Sequence, residues 1–518
     1  MADGAMTATF LAVIGAASLL AVTARRLRPS DRLPSLEGWA LADRALGPVW
    51  TWLLLGGTIF TAYTFTAVPG LAYGNGAPAF FAVPYTVIVW PLAFVLLSRL
   101  WSVARRHGYV TAADFVRGRY GSPPLALVVA LTGILATMPY LALQLLGIQA
   151  VLTAGGVSPR GPAGDLVMVA LFAGLAVATY RHGLRAPTVI SALKAVAVFV
   201  SLTAVCWLVL ARLGGPGPVF EGAARRLGGT DLAHSPLLLS PAQQPAYATL
   251  ALGSALALLM YPHVLTAGFA ADGPRTLRKV SVALPAWTGL LALFGFLGIA
   301  ALATGVEAPR GSAEAAVPML VDRLMPAPLA GLVFAAITVG ALVPAAVMSI
   351  AAATSFVRNV YVEYVHPTAT PKRQVRIAKG VSLTAKVGAV AFVFGLRDQD
   401  AVNLQLLGGV WILQIFPAVA VGLFTARLHP RALLAGWATG MLAGTLMVVR
   451  EGFSSLVPLG FGAPTVYAGL AALLLNLAVA VTVTAALEHF GVPRGADATD
   501  LPSRLTVRRR PETGANHP

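Results

Sequence analysis

The sequence predicts an all-α integral membrane protein of about thirteen transmembrane helices, and three observations carry that expectation. First, its 518 residues are 57% hydrophobic and only 11% charged, with a mean hydropathy of +0.77, a balance too apolar for a water-soluble chain of this length. Second, the charges fall in short clusters between apolar runs of about twenty residues, the length a helix needs to cross a bilayer. Third, the basic clusters alternate along the chain as if each run reversed its direction. With the N-terminus outside, Arg105-Arg106, Arg278-Lys279, Lys372-Arg373 and Arg508 to Arg510 all fall on the cytoplasmic side, as the positive-inside rule requires.

Apolar runs read against turn and charge signals place spans near 6–24, 47–72, 78–100, 124–155, 163–180, 186–212 and 247–270, then 281–304, 328–357, 376–396, 401–424, 432–450 and 463–487. The first run resembles a signal peptide in length. Its basic cluster (Arg25, Arg26, Arg28, Arg32) follows the apolar stretch instead of preceding it, which predicts a retained helix. The order divides the chain into an N-terminal helix and basic loop (1–35), a first set of five spans (36–212) and an external loop (213–246). A second set of five (247–424), two peripheral spans (425–487) and a basic cytoplasmic tail (488–518) follow. The net charge of +17 is explained by this loop bias, so nucleic acid is not an expected partner; the lipid bilayer is. The single cysteine, Cys206, lies inside an apolar run, which excludes an internal disulfide and reads as packing.

The middle ten spans show a second regularity. Spans 2 and 7 carry internal helix breakers: Gly56-Gly57 and Pro69-Gly70 in one, Gly253, Pro262 and Gly268 in the other. Spans 4 and 9, third in their sets, are the longest. Because five is odd, the second set must run inverted relative to the first, the pattern of an inverted-repeat transporter whose solute site lies where the broken helices meet at mid-membrane. The plain alternative is that glycine and proline are simply frequent in membrane helices.

The residues themselves carry a family resemblance. LADRALGPVWTWLLLGGTIFTAYTFTAVPGLAYGNG (41–76), GYVTAADFVRGRYGS (108–122), MYPHVLTAGFAADGPRTLRKV (260–280), AAVMSIAAATSFVRNVY (345–361) and NLQLLGGVWILQIFPAVAVGLF (403–424) resemble, in order, segments of the sodium:solute symporter family. RNVYVEY, NLQLLGGVWILQ and LRAP followed by Lys194 are most similar to its bacterial monocarboxylate permease branch. The resemblance runs from about residue 36 to 450. It implies a LeuT-type fold with a 5+5 inverted repeat in the plasma membrane, and uptake of a short monocarboxylate such as pyruvate, lactate, acetate or propionate.

The resemblance also implies a Na+ site between spans 2 and 9, with carbonyl ligands on Gly57, Phe60 and Ala346 and a hydroxyl on Ser349. The second hydroxyl of the family's pair is here Ile350, which has no oxygen to offer, so Thr354, Ser355 or water must compensate or sodium binds weakly. Ser349 has its own plain alternative, a hydroxyl bonded back to its helix. Relatives often carry an Asp at the positions of Ile59 and Ser191, and no acidic residue falls clearly inside a span. Na+ is thus a candidate coupling ion, with no other cofactor expected.

Instead of an acid the membrane interior holds Lys194, nine residues into span 6 and one turn beyond Ser191. An ammonium there costs roughly 3 kcal/mol and needs a partner or a function. It either attracts the substrate carboxylate or fills the place of the missing sodium and couples transport to protons; snorkelling would have to cover about 13 Å of helix. For Lys386, on peripheral span 10, snorkelling is the expectation.

The solute should meet the half-helix ends, whose unpaired N–H groups favour a carboxylate. Tyr63 and Thr64 match positions where sugar-transporting relatives place solute-contacting side chains. Tyr261 and His263 sit at the break in span 7, and Gln144 and Gln405 could hydrogen-bond into the cavity; His263 could equally cap a helix end. Trp90 and Trp411 read as packing or interface anchors. Two other functions fit the fold: a symporter for another solute (amino acid, sugar or urea-like) and a membrane sensor lacking its output domain, since about thirty residues follow span 13. A membrane enzyme is disfavoured, because no metalloprotease, serine-nucleophile or paired intramembrane carboxylate pattern occurs.

Overall fold

The computed structural model describes residues 4–27, 35–156, 182–228, 235–395, 401–460 and 462–501, with Leu166 and Ala170 between. Eight helices among them are long and apolar enough to cross a membrane, and three bent helix pairs bring the number to eleven if each pair is one span. Of the other two expected spans, span 10 is a helix (Pro371–Gly395) that is less apolar than the rest because it carries Lys372, Arg373, Arg376, Lys379 and Lys386. Span 5 (163–180) falls outside the described residues apart from Leu166 and Ala170.

Both expected breaks are present. Span 2 divides into Pro48–Ile59 and Tyr63–Asn75 at an angle of 53°, and span 7 into Pro241–Leu258 and Pro262–Phe269 at 47°. In span 2 the chain leaves the helix three residues after Gly57, where Phe60 is extended (φ −88°, ψ 101°), and it resumes as a π-helical turn over Tyr63–Ala67. In span 7 Tyr261 is extended (φ −63°, ψ 131°) just before Pro262, whose missing N–H suits the first position of a new helix. A third bend was not anticipated: span 11 turns by 41° between Ala401–Ile415 and Pro417–Phe424, where Pro417 removes a helical donor.

The two longest helices are spans 4 (Pro123–Ala154, 32 residues) and 9 (Ala327–Phe356, 30 residues), as expected, and they pack against one another. Span 4 reaches both breaks through glycines. Gly147 lies against the Ala62 methyl and Gly133 against the Pro262 ring, so a side chain at either would overlap the broken helix. The absence of a Cβ lets a continuous helix press against chain that has lost its own regular surface.

Motifs distant in sequence clamp one end of the bundle. Asp114, in the first turn of the short helix Ala112–Tyr120 before span 4, accepts hydrogen bonds from Val110 N (2.9 Å), Asn359 Nδ2 (2.8 Å) and Arg358 Nε (3.3 Å), while Thr111 Oγ1 donates to Asn359 Oδ1 (2.8 Å). Asp43 pairs with Arg185, holding the entry to span 2 against the start of span 6. Two connections carry structure of their own. The external loop contains a helix, Pro216–Arg226, and the tail continues as a packed strap as far as Leu501, tied down by the buried Arg119. Its guanidinium donates to Asp497 Oδ2 (2.6 Å), Thr499 Oγ1 (3.3 Å) and Leu501 O (3.1 Å).

Replacing Gly147 by Val should lower the thermal midpoint of the purified protein in detergent, by an amount equivalent to about 1–3 kcal/mol of overpacking. An unchanged midpoint would show that span 4 does not press on the break.

Candidate functional site at the helix breaks

A broken helix frees carbonyl groups that would otherwise accept bonds from the next turn. At the break in span 2, Thr64 N and Phe65 N both bond to Thr61 O (2.9 and 3.2 Å), which leaves the carbonyls of Gly57 and Phe60 without helical donors. Span 9 frees a third carbonyl by a different route. Pro344 lies four residues beyond Gly340 inside the helix and has no N–H to donate to it.

Lys194 reaches all three. Its Nζ donates to Gly57 O (2.7 Å), Phe60 O (2.5 Å) and Gly340 O (3.0 Å), and it lies 5.1 Å from the centre of the Phe65 ring. The side chain is fully buried. An ammonium has three N–H donors, and here three carbonyls from two helices of opposite repeats receive them. Ser191, one turn earlier, donates back to Pro187 O (2.7 Å) and packs against Gly57.

The remaining residues assigned to a Na+ site by resemblance lie elsewhere. Ala346 O accepts from Ser349 Oγ (2.9 Å), Ile350 is fully buried, and Thr354 Oγ1 donates back to Ile350 O (2.8 Å). Ser349 Oγ is in turn held by Lys386, whose Nζ approaches it at 2.7 Å and Ser382 Oγ at 3.0 Å. Lys386 therefore turns inward instead of snorkelling, because two serines on facing helices offer acceptors closer than the membrane surface. Among the described residues the buried acidic side chain is Asp114, in the short helix before span 4.

The expected solute residues gather between the breaks. Tyr63, Thr64, Gln144, Tyr261, His263 and Gln405 are all buried. Gln144 serves the backbone: its Oε1 accepts from Ala62 N (3.2 Å), an amide exposed by the break, and its Nε2 donates to Tyr140 O (3.0 Å). Tyr261 donates its hydroxyl to Gln405 O (3.2 Å). The His263 ring lies 5.3 Å from that of Tyr140 and 5.2 Å from that of Tyr261, the Tyr140 and Tyr261 rings are 5.2 Å apart, and the Tyr63 ring is 6.3 Å from that of Tyr85. Several polar atoms here have no hydrogen-bond partner among the described residues: the Tyr63 hydroxyl, both His263 nitrogens and Gln405 Oε1. Native interiors rarely leave such groups unmet, so their clustering marks hydrogen-bonding capacity directed at something other than protein. Beside Pro262, Thr266 and Ser355 lies a cavity of about 20 Å³, the size of one water.

Tyr140, Tyr85, Gly340 and Phe65 were not singled out in the sequence. For Gly340 a signal existed, the proline four residues later; the aromatic residues have none that separates them from ordinary core. Trp90 packs on Phe60 (ring centres 6.3 Å apart) and donates to Thr288 Oγ1 (2.9 Å), and Trp411 donates to Thr445 Oγ1 (3.2 Å).

The model of the sodium:solute symporter family matches residues 39–444. The chain belongs to the sodium:solute symporter family. It is 44% identical over 490 residues to a monocarboxylate transport permease protein of Rhizobium johnstonii, covering 94% of this chain and 97% of the relative. It is 30% identical to the uncharacterized symporter YodF of Bacillus subtilis, covering 87% and 89%. Among solved structures it superposes on a Na+-coupled sialic acid symporter in a substrate-bound outward-open state with a TM-score of 0.76 at 15% identity, covering 93% of this chain and 98% of that one. A closed nucleobase-cation-symport-1 family transporter gives 0.54 at 12%, covering 91% and 98%. This symporter thus has the LeuT-type inverted-repeat fold. It is a multi-pass membrane transporter of a small solute and not an enzyme.

Gln144→Leu should leave the Ala62 amide without its acceptor, costing about 1–3 kcal/mol in unfolding free energy and depressing uptake, whereas Gln144→Glu, which keeps the acceptor, should be milder. Equal effects of the two changes would remove the backbone-capping role.

Proposed function

We propose that this symporter takes up a short monocarboxylate, with the Lys194 ammonium standing where family members hold a sodium ion and with a proton gradient as the driving force. The observation that carries the reading is the threefold contact of Lys194 Nζ with the carbonyls of Gly57, Phe60 and Gly340.

Family membership implies Na+ as the coupling ion, but the residues of this chain do not fit one at the expected position. Two of the four anticipated ligands, Gly57 O and Phe60 O, already receive an ammonium, Ser349 is engaged by Lys386, and Ile350 offers no donor atom. A second cation inserted among the same carbonyls would meet unscreened repulsion from Lys194 in a region of low dielectric. The charged lysine also couples the repeats. As an ammonium it bridges span 6 to the broken span 2 and to span 9; as a neutral amine it has two N–H groups for three carbonyls, so one link is lost. Gain and loss of that proton therefore changes how firmly the two repeats are joined, which is what an alternating-access cycle requires.

The choice of solute rests on the neighbourhood and on a relative. The cluster of Tyr63, His263 and Gln405 offers donors and acceptors among aromatic rings with no buried carboxylate beside them among the described residues, which suits a small, partly apolar anion. The Rhizobium relative is named a monocarboxylate transport permease. All three Lys194 donors are engaged by carbonyls, which favours the ion-replacing role over direct binding of the carboxylate. We place the N-terminus outside and the C-terminus in the cytoplasm, from the distribution of lysine and arginine.

Proteoliposomes should accumulate labelled pyruvate or acetate when the outside is acidic relative to the lumen, at equal rates in sodium and in choline buffers. Lys194→Met should abolish accumulation. A strict sodium requirement with no response to the pH gradient would overturn the proton reading, and uptake of none of the monocarboxylates would overturn the solute class.

A further inference from the structure

We infer that the basic recess between the ends of span 3, the start of span 8 and the C-terminal strap is a binding site for the headgroup of an anionic phospholipid. The recess has a volume of about 430 Å³ and is lined by Phe94, Arg99, Arg106, Arg278, Thr499 and Asp500, among others. It lies at the end of the bundle where the basic clusters gather.

Three guanidiniums face this space against one carboxylate. Asp500 stands 3.9 Å from Arg106 and also 3.9 Å from His107, too far for a tight ion pair. Arg99 and Arg278 have no carboxylate partner among the described residues. Each lies instead over an aromatic ring, Arg99 over Phe424 (4.9 Å) and Arg278 over Phe94 (5.8 Å), which orients the flat guanidinium while leaving its N–H edge free. Arginine forks of this kind match phosphate oxygens two at a time.

The apolar flank selects a lipid over a free anion. Phe94 and Val95, one turn before Arg99 on the same helix, are 39% and 49% exposed, and on a membrane-spanning helix that exposure faces acyl chains. A phosphodiester held by the arginines would lie at the headgroup level with its tails along Phe94 and Val95. Basic pockets between transmembrane helices at the cytoplasmic interface bind acidic headgroups in this way. The strap supplies the third wall. Thr499 is buried, and Ala498 N donates to Gly118 O (2.8 Å), so the position of Asp500 is fixed by the chain around it. That carboxylate is a built-in competitor for the same arginines.

The purified full-length protein should bind fluorescent phosphatidylglycerol in detergent and not phosphatidylcholine. Arg278→Gln, at an exposed position with no hydrogen bond to the rest of the chain, should weaken binding about fivefold, Arg99→Gln similarly, and Asp500→Asn should strengthen it by about the same factor. Inorganic phosphate and glycerol phosphate should compete only weakly. Phosphatidylglycerol binding that neither Arg278→Gln nor Asp500→Asn alters would overturn the site, as would equal binding of the two lipids. Inorganic phosphate binding as tightly as the lipid would replace the lipid by a soluble phosphate.

Discussion

The arrangement of this symporter depends on one electrostatic constraint: a positive charge buried in the membrane needs oxygen atoms around it, and regular helices have none to give. The chain meets it by interrupting span 2 and by placing Pro344 in span 9, so that Gly57, Phe60 and Gly340 each present a free carbonyl to Lys194. The cost of breaking a helix in lipid is several unmet backbone groups. Here those groups are met by a side chain from a third helix, and the break, the proline and the lysine make sense only together. Removing the lysine would leave three carbonyls unmet, and closing the break would leave an ammonium unmet.

The surrounding packing serves the same end. The aromatic group formed by Trp52, Phe60, Phe199 and Trp287, with Phe60 stacked on Trp287 at 5.5 Å, covers the broken segment on one side. Span 4 covers it on another through Gly147 and supplies Gln144 to the orphaned amide of Ala62. The Gly57 and Phe60 carbonyls and the Ala62 amide freed by the break are assigned to partners, whereas the Tyr63 hydroxyl and the His263 ring nitrogens are not. That contrast separates the two halves of the site: the cation half is saturated within the protein, and the half between the tyrosines keeps hydrogen-bonding capacity in reserve. The proposed role of Lys194 needs such a division: its contacts join the repeats while the groups between the tyrosines stay available.

A second ammonium follows the same logic with different acceptors. Lys386 is buried against Ser349 and Ser382, and the Ser349 hydroxyl donates a hydrogen bond to Ala346 O. Where the family resemblance predicted a hydroxyl ready for sodium, the hydroxyl is thus bound at both faces. Two lysines and no buried acid in the described spans give the interior a positive bias. That bias accords with an anionic solute and opposes a cationic one.

The sequence by itself determined the membrane-spanning class, the positions of nearly all the spans, the breaks in spans 2 and 7, the great length of spans 4 and 9, and the presence of a lysine, Lys194, inside span 6. Those features are local: hydropathy, breaker residues and spacing along one helix are written in consecutive residues. Only the tertiary structure decided which atoms meet. Gly340 and not Ala346 completes the cage around Lys194, because the free carbonyl is the one a distant helix turns toward the lysine. Lys386 faces inward because Ser349, thirty-seven positions earlier, lies closer than the membrane surface. The bend at Pro417 became legible only against its neighbours, since proline is tolerated within several other spans of this chain, at Pro91 and Pro139, without a comparable break. Hydrogen-bond partners across helices depend on rotation and depth, and neither is encoded in any one stretch of residues.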